Sequence, residues 1–402
     1  MYAKFTYAYE PIYNASDLKS IQMGKSYILM KNIDLGGAEW TPLGSYSAPF
    51  TGSFNGNGYK ISNFKITNSN NRYIGLFGYS KGTITNLGVE SFTISNIADE
   101  STYAGGLVGY NYGGTISNCY AIGSVSSTIA KIGTTKPNYK TAYAGGLVGY
   151  NSGNITDSFA NCTVNALADW GYNDSCAAGL VAYNSGSGYQ TAAANINRCY
   201  AMGVANARAT SVRTESYAGG LIAKNEGNVT DCYTTVTVSA TITDGYSWDP
   251  SYAGGLIATA SGGTITNCYA TGSVNASSSG GYDGGKSYAG GLIANVGADV
   301  TIKNCYATGD INAYASVSYG KAYVYVGGLY GYTNTSATIS NCYRLSSQSI
   351  TYSNGSGVSI NNNTTGTSKT QAQIQTTSFH TSTLGWSTSI WNIISDAYPT
   401  LK

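Results

Sequence analysis

The sequence predicts an all-β fold, a single-stranded parallel β-helix that we expect to be right-handed. One phrase recurs eight times and is clearest at residues 252–274 as YAGGLIATASGGTITNCYATGSV. The chain contains 52 Gly and 37 Tyr but only 6 Pro, a composition typical of a β protein with tight turns. Each copy has a central Leu, and successive copies are 31 to 41 residues apart: Leu76, Leu107, Leu147, Leu180, Leu221, Leu256, Leu292 and Leu329.

The internal pattern of each copy favours parallel stacking. Two short strand-like runs, such as YAGGLVGYN and TISNCYAIGSV, are joined by Gly, Asn or Ser turns, and no run has helical length and spacing. A β-propeller blade is the alternative. It needs four antiparallel strands in a similar length, which fits this pattern less well.

Residues 1–72 read as an N-terminal cap with lead-in strands. The stretch NASDLKSI offers Asn14 or Ser16 as the N-cap of a short helix, with Leu18 and Ile21 at helical spacing. The strand-like runs SYILMKNIDL and GYKISNFKI flank a turn-rich segment. We expect the helix to cover the open end of the stack, because a β-stack otherwise exposes unpaired edge groups.

Three stretches carry a family resemblance. NIDLGGAEWTPLGS, followed by PFTGSFNGNGYKISNFKI and IGLFG, resembles the lead-in to GLUG repeats of bacterial surface proteins. The eight phrases resemble the GLUG motif itself, and LGWSTSIWNIISDAYPTLK is similar to the usual end of such regions. The resemblance implies a parallel β-helix on an extracellular or cell-surface bacterial protein, often an adhesin-like one, and it implies no defined ligand.

Residues 73–345 form the eight repeats, whose equivalent positions should become rows about 4.8 Å apart along the axis. The Leu row and an apolar row at Ile116, Ile155, Ile196, Val229, Ile265, Ile302 and Ile339 are predicted to form the core. A polar row should stabilise a bend. Its members are Asn86, Asn118, Asn267, Asn304 and Asn341, interrupted by Asp157, Arg198 and Asp231.

Six of the eight cysteines occupy one position of the repeat. Leu87 and Ser158 replace Cys in two copies, and a straight row of thiols does not converge on a metal ion, so we predict a packing role and no metal site. Cys162 and Cys176 stand outside the row, where a disulfide between them and two free thiols are alternatives. The row comprises Cys119, Cys199, Cys232, Cys268, Cys305 and Cys342.

Aromatic residues recur at two further positions. One row opens the phrase, as at Tyr103 and Tyr143, and the other follows the Cys position, as at Tyr120 and Tyr200. Because side chains alternate faces along a strand, an inward Cys makes the next Tyr point outward. We therefore expect an exposed aromatic stripe, which either stabilises the surface by stacking or binds a ligand.

Insertions of unequal length separate the copies and should project from one edge of the solenoid. They occupy residues 126–142, 166–175, 207–216, 240–251, 277–287 and 314–324. Their mixture of aromatic and small polar residues is typical of recognition loops, so they are candidates to bind a glycan or a protein. Local packing and a calcium site at Asp244 and Asp249, or at Asp169 and Asp174, are the alternatives. The candidate binding residues are Trp170, Tyr172, Tyr246, Trp248, Tyr282, Tyr319 and Tyr323.

Residues 346–402 read as a final coil and a C-terminal cap. A Ser-, Thr- and Asn-rich stretch precedes a segment with a concentration of apolar residues. We expect this segment to cover the last coil, and exposed tryptophans that bind sugar are the alternative. Its apolar residues are Phe379, Leu384, Trp386, Trp391, Ile393 and Ile394.

Composition limits the function classes. Only 10% of residues are charged and the net charge is +2, which argues against a nucleic-acid partner. No apolar run is long enough to span a bilayer, and the start lacks a signal-peptide core, so a secreted form would need a leader outside this sequence.

No catalytic residue and no cofactor is predicted. The single histidine is His380, and carboxylates such as Glu215 and Glu226 lie on separate segments. The sequence thus favours a non-enzymatic, extracellular adhesin-like or ligand-binding protein, with a structural subunit of a surface filament or layer as the alternative. A carbohydrate-active enzyme would require two or more carboxylates in one groove.

Overall fold

The computed structural model is a single-stranded parallel β-helix, as predicted. It describes residues 9–67, 71–131, 139–169, 171–186, 193–210, 213–245, 249–280, 285–353 and 358–402. Each repeat coil passes through four sheets, named I to IV in the order in which the chain enters them from the opening Tyr of the phrase. Neighbouring strands in all four sheets are parallel and come from successive coils.

Sheets I and II contain the two ends of the run that reads YAGGLVGYN at residues 103–111. Sheet I comprises Tyr73–Ile74, Thr102–Gly105, Thr141–Gly145, Asp174–Ala178, Ser216–Gly219, Pro250–Gly254, Lys286–Gly290, Ala322–Gly327 and Val358–Asn363. Sheet II comprises Phe77–Ser80, Val108–Asn111, Val148–Asn151, Val181–Asn184, Ile222–Asn225, Ile257–Ala260, Ile293–Val296 and Tyr330–Thr333.

Sheets III and IV contain the second half of each repeat, and both begin in the lead-in region. Sheet III comprises Glu10–Ile12, Tyr27–Leu29, Ser53–Asn55, Thr83–Thr85, Thr115–Ser117, Asn154–Thr156, Asn195–Asn197, Asn228–Thr230, Thr264–Thr266, Thr301–Lys303 and Thr338–Ser340. Sheet IV comprises Ile33–Glu39, Lys60–Ile66, Gly88–Ala98, Tyr120–Ile129, Phe159–Ala168, Tyr200–Ala209, Tyr233–Thr234, Thr237–Gly245, Tyr269–Ala270, Val274–Gly280, Tyr306–Ala307, Ile311–Val317, Tyr343–Leu345, Ile350–Tyr352 and Thr367–Lys369.

The predicted apolar rows line the interior. The central Leu residues are fully buried, and so is the Ile row except for Ile339, which is half-buried in its last coil. The second Gly of the phrase permits close approach of the coils: a Cβ at Gly255 would lie 1.9 Å from the carbonyl oxygen of Gly291. Replacing this Gly by any other residue therefore requires adjacent coils to separate.

The predicted polar row does stabilise a bend. All its members adopt a left-handed backbone conformation, with φ of 51° at Asn118 and 53° at Asn341, which Asn tolerates better than most residues. The amide of Asn118 donates to Asn86 at 2.8 Å, and Arg198 bonds Asp157 at 2.7 Å. A second row of Asn residues is buried at the ends of the sheet II strands, and the side-chain amide of each donates to the side-chain oxygen of the next. Its members are Asn111, Asn151, Asn184 and Asn225.

The cysteines are buried free thiols. The six of the repeat row lie along one line, and the Cys119 thiol donates to the carbonyl oxygen of Ser117 at 3.3 Å. Cys162 contacts the main core, whereas Cys176 belongs to a separate cluster with Tyr217 on sheet I. The free-thiol alternative therefore holds, because these two side chains lie in different layers.

The N-terminal helix, Ala15–Lys19, forms as predicted. Of the two candidate N-caps, Asn14 is used: its side chain accepts from the backbone N–H of Ser16 and Asp17. Leu18 is fully buried and joins the core. The helix thereby anchors the first coils.

The C-terminal segment packs on the side of the β-helix from the coil of Tyr233 to the coil of Tyr343, so it covers more than the last coil that the sequence predicts it to cover. It contains a helix, Gln371–Ile374, a π-helical turn, Phe379–Thr383, and an antiparallel pair, Trp391–Asn392 with Thr400–Leu401. The indole of Trp391 donates to Asp231 at 3.2 Å, and that of Trp386 donates to the Asn304 carbonyl at 3.2 Å. These contacts reach several successive coils.

The aromatic stripe that follows the Cys position is consequently exposed only in part. Its rings stack along the axis at centroid distances of about 5 Å from Tyr120 to Tyr306. Tyr233, Tyr269 and Tyr306 are buried beneath the C-terminal segment. The predicted stripe exists, but the segment covers its C-terminal half because both surfaces are apolar and aromatic.

Candidate ligand-binding edge

The predicted insertions start at one edge of the solenoid, between sheets IV and I. Their first residues are not loops, because they extend the strands of sheet IV, as in Tyr120–Ile129 and Phe159–Ala168. Of the candidate binding residues, Trp170, Tyr246, Trp248 and Tyr282 lie outside the described residues.

The other three candidates divide between two places on this edge. Tyr172 lines a cleft, described below. Tyr323 lies two strands beyond Pro250, which is the last residue of that cleft: Pro250 pairs with Lys286, and Lys286 pairs with Tyr323. Tyr319, four residues before Tyr323, is 71% exposed. The structure therefore brings one described candidate into the cleft and leaves two farther along the edge.

The cleft has a volume of about 500 Å³ and takes its walls from four successive coils. Seven lining side chains are aromatic or charged: Tyr139, Lys140, Tyr172, Asp174, Arg213, Glu215 and Asp249.

One wall of this edge cleft is aromatic. Tyr139 is 80% exposed, and its ring centroid lies 5.6 Å from that of Tyr172. A backbone bond from Tyr139 to Tyr172, at 2.9 Å, holds the two segments together. The Arg213 guanidinium lies 5.3 Å from the Tyr172 ring centroid, within cation–π range. The wall thus offers one largely free ring beside a charged hydrogen-bond donor.

The acidic side chains that line the cleft are internally braced. Asp174 accepts from the backbone N–H of Glu215 at 3.0 Å and faces the Lys224 ammonium at 3.5 Å. Asp249 accepts from the backbone N–H of Arg213 at 3.0 Å. These bonds tie the side chains of one coil to the backbone of a neighbouring coil.

Burial raises the pKa of two carboxyl groups in this cleft. Burial, aided by the charges of Asp174 and Asp249 and opposed by Lys224, raises the pKa of Glu215 to about 7. Burial also raises the pKa of Asp174, again against the effect of Lys224. Glu215 is therefore partly protonated near neutral pH, when its carboxyl group can both donate and accept hydrogen bonds.

This arrangement corrects the expectation that the carboxylates are scattered. Asp174, Glu215 and Asp249 are 41 and 34 residues apart in sequence, but the coils stack them into one cleft. Asp174 and Glu215 each stand two positions before the residue that opens the phrase, Cys176 or Tyr217. Aligning that position across the repeats would have revealed the pairing from sequence.

Other candidate chemistry has a different setting. Among the described residues, no group of three or more His, Cys, Asp or Glu side chains is arranged to hold a metal ion. His380 is buried beside Tyr306, with Nε2 at 3.3 Å from the tyrosine hydroxyl. Across the same residues no helix has the length and apolar character needed to cross a bilayer.

Fold and cleft define a β-helical repeat protein with a polar and aromatic edge site. The GLUG motif model matches residues 100–126, 249–275 and 285–312, so the chain is a repeat protein that carries the GLUG motif.

Two curated relatives match part of the chain. A protein of Evansella cellulosilytica described as "Putative Gly-rich membrane protein" is 37% identical over 98 residues, which are 22% of this chain and 11% of the relative. Halomucin of Haloquadratum walsbyi is 34% identical over 124 residues, 28% of this chain and 1% of that protein. The matched regions are small fractions of both relatives.

A solved structure is similar at a lower level. The crystal structure described as "a putative immunoglobulin A1 protease from Bacteroides ovatus" aligns with 98% of this chain and 92% of its own, at 18% identity and a TM-score of 0.47.

Proposed function

We propose that this chain is the β-helical part of an extracellular or cell-surface bacterial protein, adhesin-like and without enzymatic activity, that binds carbohydrate at its edge cleft. The GLUG motif and the relative described as a membrane protein support the surface location. The observation that carries the ligand class is the pairing of an exposed Tyr139 ring with the polar groups of Arg213 and Glu215 in one cleft.

The chemistry of the cleft suits a sugar. An aromatic ring that is largely free can pack against the apolar face of a pyranose, and fixed polar groups can bond its hydroxyls and set its orientation. The backbone bonds to Asp174 and Asp249 hold their carboxylates in place before a ligand arrives. Such preorganisation reduces the entropic cost of binding.

Bracing of the carboxylates supports a binding role over catalysis. Asp174 faces Lys224 and accepts a backbone bond, and Asp249 accepts another, so both have structural partners. The shared cleft nevertheless meets the requirement set for a carbohydrate-active enzyme, which makes that class the second candidate. Release of reducing sugar that is abolished by Glu215→Gln would favour the enzyme.

A glycan array tests the proposal. We expect the parent protein to bind and the Tyr139→Ala and Tyr172→Ala variants to lose most of the signal. Tyr314→Ala is the matched control, because Tyr314 is 46% exposed and pairs within sheet IV, away from the cleft lining. Absence of any glycan signal from the parent would contradict carbohydrate binding. It would favour a protein ligand or self-assembly into a filament or layer, and sedimentation of the protein alone would detect the self-assembly.

A further inference from the structure

A second cleft lies near the N-terminal end of the repeats. It has a volume of about 540 Å³ and is bounded by Met23, the loop at residues 41–48, Arg72 and Tyr73. Tyr46 in this loop is 73% exposed. Its ring makes an edge-to-face contact with the ring of Tyr79, with the centroids 5.7 Å apart and an angle of 90° between the ring planes. Like Tyr139 in the edge cleft, Tyr46 leaves most of its ring open to a ligand.

The loop that presents Tyr46 is fixed to the β-helix. Leu43 donates to the Leu76 carbonyl at 3.0 Å and accepts from Gly78 at 2.8 Å, while Phe50 donates to the Tyr79 carbonyl at 3.0 Å. Both ends of the loop are therefore tied to strands of the first repeat coil. The backbone on either side of Tyr46 is therefore held in place before a ligand binds.

Both clefts border sheet I. Tyr73, which lines the N-terminal cleft, begins a row on sheet I that continues through Tyr103 to Tyr143, with stacked rings at centroid distances of 5.5 and 5.0 Å. Thr141, two residues before Tyr143, lines the edge cleft. The row of tyrosines therefore leads from one cleft to the other.

The length of this surface follows from the strand spacing. Five strand steps separate the Tyr73 strand from the Pro250 strand, and at about 4.8 Å each they span about 24 Å along the axis. A single sugar ring fills only a small part of that length, whereas a linear chain several sugars long could occupy both clefts.

Several charged side chains along this surface have partners within the protein. Lys140 pairs with Glu100 at 2.7 Å, and Lys224 pairs with Asp174 at 3.5 Å. Arg72 donates from Nε to the Ser101 carbonyl at 3.2 Å. A surface with paired charges and many hydroxyls favours a ligand that is itself uncharged and rich in hydroxyls, because an ionic ligand would have to break these pairs.

We propose that the two clefts are the ends of one groove that binds a linear, neutral polysaccharide chain parallel to the β-helix axis. This inference rests on the proposed carbohydrate-binding function and adds the ligand's polymeric class and direction. A chain that reaches both clefts gains affinity because its second contact is intramolecular.

The test is titration calorimetry with three neutral oligosaccharide series, derived from cellulose, chitin and β-1,3-glucan, each from two to eight sugars long. We expect affinity to rise with length until the chain spans both clefts. Tyr46→Ala should lower the affinity for the longest oligomers by roughly three- to tenfold and leave the shortest binding oligomer unaffected. Tyr139→Ala should weaken every length.

Tyr13→Ala serves as the control, because Tyr13 is 49% exposed near the N-terminal helix and does not line either cleft. Binding that is independent of length, or a Tyr46→Ala effect that is equal at all lengths or absent, would overturn the single-groove proposal while leaving carbohydrate binding intact. Failure of every oligomer to bind, together with a blank glycan array, would overturn both.

Discussion

The packing of the C-terminal segment predicts a large local effect of Trp391→Ala. Trp391 is fully buried, stacks on Trp386 with a centroid distance of 4.5 Å, and bonds Asp231 across 160 residues of sequence. Truncating a buried Trp to Ala costs about 3–5 kcal/mol, which is a factor of roughly a hundred to several thousand in an opening equilibrium. We expect the segment from 371 to 402 to open while the coils beneath it remain folded.

Hydrogen exchange measured by mass spectrometry separates these regions. Exchange of residues 371–402 should accelerate in Trp391→Ala by at least about tenfold, whereas exchange in the strands of sheet III should not change. Ile394→Ala is the matched control, because Ile394 belongs to the same segment but is 59% exposed, and its effect should stay within about 0.5 kcal/mol. Unchanged exchange in Trp391→Ala would refute the view that this indole anchors the segment.

Three further predictions concern buried groups. Burial lowers the pKa of His380 to about 4 from the usual 6.5, so the C-terminal segment should lose stability as the pH falls from about 6.5 to about 4. A pH titration of tryptophan fluorescence should detect this loss, and His380→Asn should make the fluorescence less dependent on pH. Gly255→Ala should lower the thermal midpoint strongly, because overpacking costs about 1–3 kcal/mol or more. Gly24→Ala should be tolerated, because its Cβ would meet only Thr51, at 3.8 Å. Equal midpoints for the two variants would contradict the view that Gly255 lets adjacent coils approach closely. All eight thiols are buried, so a charged thiol reagent should label the native protein slowly and reach all eight only after denaturation. Burial also raises the pKa of Cys119, Cys162 and Cys176 to about 12, which should slow the reaction of these three further, and rapid native labelling would count against this packing.

The edge cleft illustrates a limit of sequence reasoning in a repeat protein. The repeat predicts that equivalent positions stack, and this is enough to pair Asp174 with Glu215. Asp249 stands three positions before Tyr252, so its place in the same cleft is visible only once the strands are paired. Glu215 contacts the coil of Asp174 because the registers of their strands coincide. Its raised pKa depends on that neighbour and on burial, and neither can be read from a single segment.

The sequence by itself determined the β-helix, the inward Leu and Ile rows and the Asn bend, because each depends on a residue type that recurs at one place in every coil. Only the tertiary structure decided that Cys162 and Cys176 lie in different layers, that three carboxylates share a cleft and that the C-terminal segment covers Tyr269 and Tyr306. These outcomes rest on contacts between residues tens to more than a hundred positions apart. A periodic pattern determines the contacts that every coil repeats, whereas a contact made once depends on the three-dimensional path of the whole chain.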